Sequence, residues 1–237
     1  MNRNIQKKIM VNIIANVLIC AVIAILALSA SNGAIEVFNN DYKPYYNGFS
    51  NNVSVMINVY TGTEYIEPML NVLDQYNCKA TFFLGGTWAE KNMELVKKMS
   101  ERGHEIGNHG YLHRDHKKLS IEQNKDEIII TSKLLYNIIG KNIDLFAPPS
   151  GSMGNNMTSV CEELNYKIIM WNKDTIDWRD KDANLIYTRA TKNAQGGDFI
   201  LMHPTEQTLE ALPRILAEFQ RLNMISITVT ENINGNT

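Results

Sequence analysis

The chain has 237 residues, a formal net charge of -2 and 44% hydrophobic residues. Charge this close to neutral excludes a protein built to bind nucleic acid and a strongly basic membrane-surface protein. Beyond an unusual N-terminal stretch, about 200 residues remain, enough for one α/β domain with a substantial core.

Arg3, Lys7 and Lys8 precede an apolar run from Met10 to about Ala30. Asn12 and Asn16 weaken its first turns, but its length suffices to span a bilayer as a helix. Basic residues on its N-terminal side keep that end in the cytoplasm and send the rest across. The small residues Ser29, Ala30 and Ser31 also suit a signal-peptidase site, although the length of the run favours an uncleaved anchor. Either way, the folded domain is expected outside the cytoplasmic membrane. Residues 1–31 are therefore assigned to a signal anchor or signal peptide. Residues 32–52, rich in Asn, Tyr, Gly and Ser, read as a linker. A domain over 53–232 and a flexible tail over 233–237 complete the division.

Within the domain, strand-like and helix-like segments alternate. Strands are predicted at Val53–Tyr60, Ala80–Leu84, Glu105–Gly107, Asp144–Ala147, Lys167–Trp171, Asp198–Met202 and Met224–Thr230. Helices are predicted at Glu64–Tyr76, Ala89–Arg102, Ser120–Ile139, Met157–Leu164, Asn184–Ala194 and Thr205–Arg221. Such alternation implies a mainly parallel sheet covered by helices, and about seven units suggest a closed or nearly closed barrel. Cys20 falls in the apolar run. Cys78 and Cys161 are single and far apart, with no disulfide or zinc-knuckle spacing, and read as buried free thiols.

In α/β barrels the active site lies at the C-terminal ends of the strands. At those ends stand Asn58 and Tyr60, then His109 and His113, then Pro149 and Ser150, then Asp174, Asp177 and Trp178, and last His203 after Leu201. His109 and His113 are four apart, a spacing that on a helical turn lets both imidazoles share one metal ion. A pair of histidines at that spacing also occurs on solvated surfaces. His203 ends an apolar run, where it serves equally as a core histidine or as a general acid oriented by Asp174 or Asp177. Trp178 suits core packing or sugar stacking. His104, before its strand, reads as structural.

Five segments in order resemble the polysaccharide deacetylase family, also called the NodB-homology domain, over about residues 53–230. Lys79-Ala80-Thr81-Phe82-Phe83-Leu84 resembles its KATFFL segment. Gly103 to His113 resembles its GHEIGNHTxxH motif. Phe146 to Ser152 matches its third motif in position, Asp174 to Trp178 resembles its fourth, and Leu201-Met202-His203-Pro204 its fifth. The wording looks most like a sporulation-associated subgroup of endospore-forming bacteria. The resemblance implies a distorted (β/α) barrel and a divalent metal, usually zinc. It implies hydrolysis of N-acetyl or O-acetyl groups on a polymer such as peptidoglycan, chitin or xylan. Carried over by position, His109 and His113 are the metal ligands, and His203 is the general acid, supported by an aspartate of the fourth motif.

The first motif departs from the pattern. Where the family has a sequence such as TFDDG, this chain has Met56-Ile57-Asn58-Val59-Tyr60-Thr61-Gly62. Asn58 stands where the catalytic aspartate is expected, and Val59 or Tyr60 where the third metal ligand is expected. Ala147 stands where an arginine orients the base. An amide cannot accept a proton near neutral pH, and loss of a general base typically costs about 10²–10⁴ in rate. Two functions are therefore expected to compete: slow metal-dependent N-deacetylation of cell-wall glycan, and glycan binding or scaffolding by a catalytically silent groove. A purely structural envelope protein is a third.

Overall fold

The computed structural model of the protein describes residues 42–235 and, before them, Met10, Ile13 and 16–21. Most of the predicted membrane segment thus lies outside the described residues. Among those described, no helix is long and apolar enough to cross a membrane.

Seven parallel strands form one sheet: β1 (Ser54–Val59), β2 (Ala80–Leu84), β3 (Glu105–Asn108), β4 (Leu145–Phe146), β5 (Lys167–Ile168), β6 (Lys173–Asp174) and β7 (Phe199–Met202). Their order is β5-β4-β3-β2-β1-β7-β6. β5 and β6 are the free edges of a curled half-barrel. The segment before β1 reaches both sides of the gap, through bridges from Tyr45 to Ile169 and from Asn47 to Asp198. The helices are α1 (Thr63–Gln75), α2 (Gly86–Lys91), α3 (Met93–Glu101), α4 (Ile121–Ile139), α5 (Asn155–Glu163), α6 (Ala183–Thr191), α7 (Glu206–Arg221) and α8 (Val229–Ile233).

β1 is central and buried along its whole length, as a parallel strand covered on both faces must be. Its alternation divides the core. Val55, Ile57 and Val59 join the large cluster beneath the helices. Met56 joins a smaller cluster inside the curl, with Phe83, Phe199 and Val229. Side chains two apart on a strand share a face, so Asn58 points to the same interior side as Met56. The register aligns the strand ends: Val59 opposite Leu84, Leu84 opposite Asn108, and Ile57 opposite Met202. The residues that follow these strands therefore emerge side by side.

Local signals explain most helix boundaries. Ser120 caps α4 in a reciprocal box with Gln123, and Gly140 ends the helix at φ 67, a left-handed turn that glycine adopts without strain. Asp182 and Thr205 cap α6 and α7. Cys78 and Cys161 are buried free thiols, as expected.

Three segments differ from expectation. The helix predicted over Ala89–Arg102 is two helices that break at Asn92, which lies at φ -130 between them. The strand predicted at Met224–Thr230 shrinks to one bridge at Ser226. There Thr228 and Glu231 form a second capping box and start α8 instead. The seventh strand is β6, whose backbone pairs with β7; its charged residues Lys173 and Asp174 carry no apolar strand signal.

Candidate active site

A cavity of about 550 Å³ opens at the C-terminal ends of the strands. That volume falls in the range of small-molecule sites. Asn58, Tyr60, His109, His113, Ser150, Asp174, Trp178, Leu201 and His203 all line it, so nine of the predicted site residues meet at one place. Pro149 and Asp177 do not. Pro149 is buried in the short turn that presents Ser150. Asp177 lies behind His203.

His109 is almost wholly buried, and its Nδ1 donates to the Ala147 carbonyl at 2.6 Å. That bond leaves Nε2 as the unprotonated nitrogen. Burial, reinforced by the neighbouring His113, pushes the His109 pKa down to about 3. Burial also lowers that of His113. Both shifts favour the neutral ring, the form that a metal ligand needs. The predicted helical turn between them is absent. Gly110 at φ 73 and His113 at φ 55 break the helix, and the loop instead brings the two ring centroids to 5.1 Å, edge to face.

Tyr60 also packs on His113, with centroids 4.7 Å apart and a 33° tilt. Asn58 is 4% exposed, and its Oδ1 has no hydrogen-bond partner. A catalytic zinc centre generally takes three protein ligands and a water. Here His109 and His113 supply two. Asp115 is exposed and tied to Ser152 and Lys118. His116 is buried, with its Nδ1 donating to Asn124 Oδ1 at 2.7 Å. Among the described residues, no group of three or more His, Cys, Asp or Glu side chains is placed to hold a metal ion. The residues present do not fit a three-ligand centre.

The His203 side of the site is hydrogen-bonded. Asp177 Oδ1 accepts from His203 Nδ1 at 2.8 Å, and Oδ2 accepts from the His203 backbone N–H and the Thr208 hydroxyl, each at 2.6 Å. Asp177 is therefore the orienting aspartate. Asp174 instead accepts the Ile176 N–H at 2.8 Å and faces the cavity. Ile176 has φ 55, a strained backbone for a β-branched residue that costs on the order of 1–3 kcal/mol. The strain aims Asp177 inward while Trp178, 62% exposed, stands at the rim.

Sequence reasoning missed Trp171, Thr61 and Pro204 in the lining and Thr208 behind Asp177. Trp171 ends the predicted fifth strand, so the strand-end rule would have found it. Thr208 lies in the first turn of α7 and gives no such signal.

His203, backed by the buried Asp177, and the two histidines His109 and His113 thus line one cavity at the C-terminal ends of the strands. The polysaccharide deacetylase family profile matches residues 50–169, and the chain belongs to that family. It is 38% identical over 191 residues to the uncharacterized protein YlxY of Bacillus subtilis, covering 80% of this chain and 60% of YlxY. It is 33% identical over 162 residues to a peptidoglycan-N-acetylglucosamine deacetylase of Bacillus cereus, covering 66% of this chain and 59% of the relative. The chain thus spans about three fifths of the length of these two proteins. Among solved structures, BA3943 of Bacillus anthracis, described as a CE4 family pseudoenzyme, superposes with a TM-score of 0.78 at 31% identity. The match covers 81% of this chain and 69% of BA3943. A BA3943 mutant described as having restored enzymatic activity superposes equally well.

Proposed function

We propose that this protein recognises N-acetylated cell-wall glycan in the deacetylase groove and hydrolyses its acetamide C–N bond weakly at most. The observation that carries this reading is Asn58. It occupies the place of the family's base, buried, with its amide oxygen unpartnered. Opposite it, His203 and Asp177 keep the geometry of a general acid. His203 would protonate a leaving amine, but no residue at Asn58 would take a proton from water. The naming of relatives as peptidoglycan deacetylases supports acetylated peptidoglycan as the polymer. Tyr60, Trp171 and Trp178 around one cavity suit stacking on sugar rings.

Of divalent metals, zinc suits two neutral imidazoles, and with two protein ligands it would be held less firmly than in a three-ligand centre. The apolar run after Arg3, Lys7 and Lys8 supports a membrane-anchored or exported protein with its domain outside the cytoplasmic membrane. The wording of the motifs supports a place in the sporulation-associated subgroup.

The test uses the full-length protein with acetylated chitooligomers and peptidoglycan, with and without a chelator. Binding that survives chelation, with little acetate released under excess zinc, is expected. No binding to either polymer sinks the reading. Acetate release at the rate of an ordinary deacetylase overturns the assignment of Asn58.

A further inference from the structure

One buried acidic side chain near the cavity has no part in the site described so far. Glu127, on α4, is 4% exposed. Its Oε2 accepts the Leu112 N–H at 2.7 Å. The Arg114 guanidinium stands 3.5 Å from Oε1. The carboxylate therefore grips the residues on either side of His113.

That loop is held in a conformation it would not choose alone. His113 at φ 55 is in the left-handed region, which non-glycine residues rarely adopt. Gly110 at φ 73 leaves no space for a β-carbon, which would meet His116 Nε2 at 2.9 Å and Glu127 Oε2 at 3.2 Å. The loop thus packs directly on the carboxylate. The same helix holds the loop's two ends. Asn108 Nδ2 donates to the Ile128 carbonyl and the Ser132 hydroxyl, and Asn124 accepts from His116. The Gly110 and Tyr111 carbonyls accept the Gly86 and Thr87 N–H groups at 2.9 and 3.1 Å, so the part of the loop left for Glu127 to restrain is 112–114, through Leu112 and Arg114 on either side of His113. A buried carboxylate on an N–H is a strong, directional restraint, unlike an apolar contact of the same size.

We propose that Glu127 is a positioning residue: its carboxylate holds residues 112–114 so that the His113 ring enters the cavity in contact with His109 and Tyr60. The proposal rests on the reading of that cavity as the glycan site.

The test compares full-length Glu127→Gln and Glu127→Ala with the parent. Glutamine keeps an oxygen that accepts the Leu112 N–H; alanine does not. Three quantities are read: hydrogen exchange of the Leu112 amide, the NMR signals of the His113 ring in the free protein, and affinity for a chitooligomer. In Glu127→Ala, exchange at Leu112 is expected to rise and affinity to fall, each about tenfold or more, with the His113 signals shifted. In Glu127→Gln, exchange and affinity are expected to stay within about threefold of the parent and the His113 signals to stay in place, by rescue of the same hydrogen bond. If Glu127→Ala does not fold, Glu127→Asp takes its place, since its shorter side chain keeps the charge but withdraws the oxygen from Leu112. Parent-like values in all variants overturn the proposal, as do equal losses in Gln and Ala. If the parent binds no glycan, the functional reading fails, while the exchange and ring signals still decide the role of Glu127.

Discussion

His203 and Asp177 are joined twice: the imidazole Nδ1 and the backbone N–H of His203 donate to the two oxygens of one buried carboxylate, at 2.8 and 2.6 Å. The double attachment fixes both the ring's tautomer and the position of its main chain. A third donor, the Thr208 hydroxyl, completes the carboxylate's partners. A charge this deeply buried is tolerable only because every lone pair that matters is met.

Asp177→Asn is expected to break this arrangement: with the amide oxygen kept for the His203 N–H and the Thr208 hydroxyl, the amide NH2 faces His203 Nδ1, which must then accept rather than donate. The loss should be about 1–3 kcal/mol in unfolding free energy. The His203 nitrogen signals should also show the proton leaving Nδ1. Retention of the Nδ1–H form would refute the assigned role. Thr208→Val removes one donor and should cost a similar amount without changing the tautomer.

Asn58→Asp together with Tyr60→Asp restores a base and a third oxygen ligand beside His109 and His113. Acetate release in excess zinc is expected to rise by about 10²–10⁴ over the parent. Adding His113→Ala should abolish the gain. An inactive double variant would mean that the arginine missing at Ala147, or another part of the site, is also required.

Trp178 stands at the rim, exposed, with the Arg179 guanidinium 6.0 Å over its ring. Trp178→Ala is expected to weaken glycan binding by about 1–2 kcal/mol, roughly five- to thirtyfold. Unfolding free energy should stay within about 0.5 kcal/mol of the parent, as for other exposed positions. Unchanged affinity would remove Trp178 from the binding surface.

Three buried histidines, His104, His109 and His116, have pKa values lowered by burial and make stability depend on pH. Burial lowers the pKa of His104 to about 4 and that of His109 to about 3, against about 6.5 in the unfolded chain. The unfolded state therefore takes up these protons first. The stability they confer is fully present above about pH 6.5 and is lost as pH falls from there toward 4 and 3. Each contributes a slope of up to about 1.4 kcal/mol per pH unit in that window. Urea unfolding at pH 7.5, 6 and 5 should show this decline. A flat profile would mean that these rings reach water. The Nδ1 of His104 accepts the Ala80 N–H at 3.2 Å, so His104→Asn should reduce the slope while keeping an acceptor there.

The sequence by itself determined the alternation of strands and helices, because burial on both faces of β1 and β2 demands apolar runs and the caps at Ser120, Asp182 and Thr205 are local. It also determined which residues stand at the strand ends, and so most of the cavity lining. Strand order could not be read from it, nor the replacement of the last predicted strand by β6, since β6 pairs through its backbone and buries little apolar surface. Only the tertiary structure decided between Asp174 and Asp177 as the partner of His203. It also showed that His109 and His113 meet across a strained loop rather than along a helix. It placed Glu127 beneath that loop from a helix with no motif of its own. These are contacts between segments far apart in the chain, set by how helices dock on the sheet, and no local spacing encodes them.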